Sequence, residues 1–146
     1  MKTMTDFPDV LTWGYDQGIG RSIWYTYKGD IENVTRIISG FPKERQAGLW
    51  RGLGIAVACA GGCNADTYKS LLALSGEQQL ELIVGGKLAA KSRYQANAIT
   101  MDVELACDSW CNSSLKEAVA MAIKYETIYA GDGEDAFEIW ISKIKK

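Results

Sequence analysis

Apolar residues recur along this chain at helical spacing, and each stretch is bounded by residues that start or stop helices. Ile31, Val34, Ile37 and Ile38 share one helical face, with Asp30 placed to cap it and Gly40 to close it. Pro42 suits the first turn of a second helix carrying Leu49, Trp50, Leu53 and Val57, which Gly61 and Gly62 stop. Gly48 and Gly52 lie one turn apart on that helix. Each costs about 1 kcal/mol relative to Ala, which predicts another element packed closely there. Asn64 or Asp66 caps a short helix through Leu71, Leu72 and Leu74. Ser75 with Gln78 reads as a capping box for the next helix, whose apolar positions are Leu80, Ile83, Val84 and Leu88. Gly85 and Gly86 fall inside that pattern, so it either continues to Tyr94 or kinks at the glycines.

Thr100 opens a further short helix through Leu105. Ser114 with Glu117 forms a second capping box, ahead of Leu115, Ala118, Val119, Ala122 and Tyr129, and Gly131 ends that helix. Asp132 and Asp135 then precede Phe137, Trp140, Ile141 and Ile144, with Lys143, Lys145 and Lys146 toward the carboxyl end, the pattern of a docked amphipathic helix. Ile23-Trp24-Tyr25-Thr26-Tyr27 is β-prone, but a lone strand has no partner, which places it on a helix. No strand pair joined by a hairpin signal is present. The expectation is an all-α fold: one domain over residues 1–146, a compact bundle of about six to seven short helices. Gly20-Arg21-Ser22-Ile23-Trp24 and Gly48-Leu49-Trp50-Arg51-Gly52 echo each other, a helical-repeat-like feature short of a solenoid.

Composition adds exclusions rather than a function. Hydrophobic residues make up 47% and charged residues 23%, a balance able to build a core. The net charge of -2 supplies no basic field for phosphates, so nucleic acid is not an expected partner. The amino terminus lacks the apolar core of a secretory signal. The run Leu53 to Gly62 is too short for a bilayer and reads as a buried helix end, so the expected location is cytoplasmic, away from membrane.

The chain has no histidine, which removes Ser-His-Asp and Cys-His catalysis and every histidine-ligated zinc site. Gly18-Ile19-Gly20 lacks the third glycine of a dinucleotide loop, and Gly86-Lys87 is followed by Leu88 instead of Ser or Thr. Cys59, Cys63, Cys107 and Cys111 make two pairs with permissive spacing for zinc, but free cysteine behaves as a small buried hydrophobe, so no metal is expected. Asp102, Glu104 and Asp108, and Asp132, Glu134 and Asp135, fall at helix starts, where carboxylates cap. No cofactor is expected. The 5 Trp and 7 Tyr exceed what a core of this size needs, which leaves aromatics for binding.

Two stretches, Gly18-Ile19-Gly20-Arg21-Ser22-Ile23-Trp24-Tyr25 and Phe41-Pro42 through Arg45, Leu49-Trp50, Gly52, Gly54 and Ala60-Gly61-Gly62, resemble an uncharacterised bacterial family, domain-of-unknown-function family 1702. Glu104-Leu105-Ala106-Cys107 extends the resemblance more weakly. It implies an α-helical fold, association with enediyne polyketide biosynthesis genes, and correspondence of this chain to one of two related halves. It names no catalytic residue. The sequence therefore leads to a non-catalytic cytoplasmic protein-binding module, for example one that neutralises a partner such as a toxin. The alternative is an accessory protein of secondary metabolism with a small-molecule pocket. Arg21, Trp24, Trp50 and Arg51, concentrated in the two echoing motifs, are the expected binding residues, because Trp and Arg are enriched at binding hot spots.

Overall fold

Capping decides where most of the helices begin. In the computed structural model, which describes residues 9–111 and 114–129 and side chains over 14–111 and 114–124, seven α-helices follow one another. They are α1 (Asp9–Thr26), α2 (Ile31–Ser39), α3 (Lys43–Ala60), α4 (Ala65–Leu74), α5 (Gln79–Gln95), α6 (Met101–Trp110) and α7 (Leu115–Tyr129). No strand occurs among the described residues, and the fold is an all-α bundle. Asp30 accepts from the Asn33 N–H, Asn64 from Thr67 and Thr100 from Val103, each satisfying a donor that the helix cannot. Ser114 and Glu117 close their box in both directions, at 3.3 and 3.2 Å. The β-prone run lies at the carboxyl end of α1 and just beyond it, and Pro42 stands immediately before α3. The segment from Asp132 onward lies outside the described residues.

One cap differs from expectation. Ser75 sits in helical geometry at the end of α4, and its hydroxyl donates back to the Leu72 carbonyl at 2.6 Å. A single 3-10 turn, Gly76–Gln78, then leads straight into α5. With no extended residue between the two helices, Ser75 cannot present its oxygen to the following N–H groups, so the capping box does not form.

The glycines set how the helices cross. A Cβ on Gly20 would stand 2.1 Å from the Leu49 carbonyl oxygen, and one on Gly52 would stand 2.0 Å from that of Gln17, so α1 and α3 touch backbone to backbone. Two residues along α3, Gly54 meets Gly85 and the Leu82 carbonyl of α5 in the same way. Gly86 leaves room for the Trp110 ring. Gly85 and Gly86 thus serve close approach on different sides of α5, which runs through them as one helix to Gln95. The result places α3 between α1 and α5, with Leu49, Trp50, Leu53, Ala56 and Val57 in the core. α6 and α7 pack against α5, and α6 also meets α3 and α4. Trp110 packs edge-on against Tyr68 with ring centroids 5.2 Å apart, and its indole N–H donates to the Tyr68 carbonyl at 2.8 Å. None of the described helices is long and apolar enough to cross a membrane.

Candidate functional site

Tyr15, Ile19 and Ile23 of α1, with Tyr27 one residue past its end, recur every four residues and form one stripe. Ile37 of α2 and Phe41 of the following connection stand opposite, and Gly14, Gly18, Ser22 and Thr26 complete the lining. The groove they enclose holds about 560 Å³, and apart from two tyrosine hydroxyls, Ser22 and Thr26 its side chains are apolar. Tyr15 is 56% exposed, a large aromatic surface left open to a ligand.

A buried ion pair fixes one end of this groove. Asp16, next to Tyr15 but turned inward, is buried and receives the Arg45 guanidinium through Nη2 at 2.7 Å and Nε at 3.2 Å. Arg45 also lies over the Phe41 ring, 5.2 Å from its centroid. The hydrogen bond that Arg45 donates to Asp16 raises the Arg45 pKa further, against the opposing effect of burial. The pair therefore ties α1 to the start of α3 and holds Phe41 at the groove edge.

The four residues singled out by the sequence motifs separate into two environments. Trp24 and Trp50 belong to the core, and Arg51 is fully buried against Glu81 of α5. Arg21 is exposed on α1, beside the groove-lining Ser22. Sequence reasoning missed Tyr15, Ile19, Tyr27, Ile37 and Phe41 as a set, although the four-residue spacing on α1 was the available signal. A second apolar groove, about 600 Å³, lies between α7 and the end of α5, lined by Tyr94, Ile99, Leu115, Val119 and Ile123 with Lys116 and Lys124.

Of the acidic residues expected at helix starts, Asp102 and Glu104 lie in the first turn of α6, Asp108 lies in its last turn instead, and Asp132, Glu134 and Asp135 fall outside the described residues. Asp102 accepts the Gly62 N–H at 3.2 Å and packs against Gly61, both glycines having positive φ where α3 stops. Tyr68, whose hydroxyl donates to the Asp102 carbonyl, is pushed up to about 12, first by burial and then by the nearby Cys63 and Asp102. Among the described residues, no three of His, Cys, Asp and Glu converge as a metal site. All four cysteines are free thiols; only Cys107 is fully buried, the other three being half-buried.

No match was found among curated proteins or among solved structures. Residues 6–146, well beyond the two motif stretches at the amino-terminal end, match the model of the family described as a protein of unknown function, DUF1702, and the chain belongs to that family.

Proposed function

We propose that this chain is a non-catalytic cytoplasmic protein-binding module, and that the groove along α1 receives an amphipathic helix of its partner. The observation that carries the reading is the stripe Tyr15, Ile19, Ile23 and Tyr27 facing Ile37 and Phe41. Twelve residues of helix span about 18 Å, three turns of a docked helix. Aromatic walls supply large contact area at low side-chain entropy cost. Arg21, exposed beside the groove, is a rim contact, whereas Trp24 and Trp50 lie in the core and Arg51 ties α3 to α5 through Glu81. A neutralising role toward a toxin-like protein fits such a surface.

A second reading has support from the groove volume, which falls within the range of small-molecule sites. In it the chain is an accessory protein of enediyne polyketide biosynthesis, as the family resemblance implies, and corresponds to one half of a two-half architecture. The full chain and an Ile19→Arg variant, used as baits in the native host and followed by native mass spectrometry, separate the two. Under the first reading a defined protein is captured, and Ile19→Arg, shown to be folded by circular dichroism, loses it. A low-mass adduct lost in the variant supports the second reading. A partner retained at full affinity by Ile19→Arg removes the groove from both.

A further inference from the structure

A buried lysine reaches sulfur on a neighbouring helix. Lys87 of α5 is 5% exposed, and its Nζ lies 3.8 Å from the Met121 sulfur of α7. On α6, Cys107 and Cys111 stand one turn apart and pack with Ala90, Val103, Ala118 and Val119. The Cys111 sulfur reaches to 4.0 Å from where a Gly86 Cβ would stand, so it rests on the α5 backbone at the residue preceding Lys87. Cys107 is enclosed, whereas Cys111 caps the carboxyl end of α6 and keeps partial access to solvent. We propose that Cys107 and Cys111 form an oxidisable dithiol, in which Cys111 reacts first with a peroxide and Cys107 resolves the product.

The electrostatics divide the two roles. Contact with the Cys107 thiol holds Cys111 below the ordinary thiol value, and the Lys87 ammonium adds to this, against burial and Asp108. The same contact, followed by burial, pushes Cys107 up. The carboxyl end of the α6 dipole opposes a thiolate at Cys111, and the Cys107 contact, with the Lys87 charge behind it, offsets this. Cys63 has the reverse setting: burial and then Asp102 push it up.

In the first step the Cys111 thiolate sulfur attacks one peroxide oxygen. The O–O bond breaks, and the departing hydroxide takes a proton from solvent to become water, leaving a sulfenic acid. The Cys107 thiol then gives up its proton as its sulfur attacks that of Cys111; the S–O bond breaks and a second water leaves. Two thiols lose two electrons, and one hydrogen peroxide becomes two waters. Residues one helical turn apart have Cα atoms roughly 6 Å apart, within the range a disulfide spans, and closing the bond requires the last turn of α6 to open at the Cys111 N–H to Cys107 carbonyl hydrogen bond.

The test treats the full chain with limiting hydrogen peroxide and maps the products by mass spectrometry. A disulfide between Cys107 and Cys111 is expected ahead of any change at Cys59 or Cys63. With Cys107→Ser, the sulfenic acid should persist and be trapped by dimedone at Cys111. Lys87→Met should slow oxidation of Cys111 about five-fold or more, and Lys87→Arg should restore it. Earlier oxidation at Cys59 or Cys63, or a dimedone adduct elsewhere in Cys107→Ser, overturns the proposal whether or not the Lys87 variants fold.

Discussion

Arg51 of α3 donates from both Nε and Nη2 to one oxygen of Glu81 on α5, at 2.9 and 2.5 Å, with neither side chain reaching water. Each charge is tolerated because the other is there. Replacing one alone, as Arg51→Met or Glu81→Leu, leaves a buried charge and should cost about 3–5 kcal/mol of unfolding free energy. The double replacement should recover most of that loss. Urea denaturation of the three variants checks this, and single variants within about 1 kcal/mol of the parent would contradict it.

Arg21 supplies the contrast. Exposed as it is, Arg21→Ala should leave stability within about 0.5 kcal/mol of the parent while weakening partner capture. A fall in melting temperature comparable to that of Arg51→Met would assign it to packing instead.

Glycines of the crossing helices α1 and α3 should answer alanine in opposite directions. Gly20→Ala and Gly52→Ala drive a methyl into backbone of the neighbouring helix and should cost about 1–3 kcal/mol or more. Gly18→Ala, with open space around it, should stabilise α1 by about 0.5–1 kcal/mol. Thermal unfolding of the three variants, measured side by side, decides whether close crossing is the reason for the first two.

Tyr68 predicts the alkaline limb of stability. Its folded pKa of about 12 lies above the unfolded value of 10, so the folded state keeps the proton after the unfolded state has released it. The stabilisation is complete below pH 10 and is lost as pH rises from 10 toward 12, by about 2–3 kcal/mol in all. Tyr68→Phe should be flatter across that window. An identical slope in the variant would mean that other groups carry the effect.

Local features were readable and distant pairings were not. The caps Asp30, Asn64, Thr100 and Ser114 with Glu117 each act within three residues, so sequence contains both partners. Ser75 with Gln78 has the same local form, but the direct passage from α4 through a 3-10 turn removes the geometry it needs. Gly52 announced a close approach, yet nothing in its neighbourhood could name Gln17 as the contact. Arg51 beside Trp50 looked like a binding surface because its partner, Glu81, lies 30 residues away. The α1 stripe was legible as spacing, but its opposite wall depends on where α2 and Phe41 return, which is tertiary information.

Gly52 and Gly54 make the central helix a two-sided part whose sides are locked in angular phase. Two residues of α-helix correspond to a rotation of about 200°, so the seat for α1 and the seat for α5 lie on nearly opposite flanks of α3. Inserting or deleting a single residue between them would turn one seat by about 100° while the other stayed in place. No repacking of side chains compensates for that, because both seats are made of backbone. The spacing of these two glycines is therefore a length constraint on the chain, separate from the identity of either residue, and insertions are expected to be tolerated in the connections outside α3 rather than between the two seats.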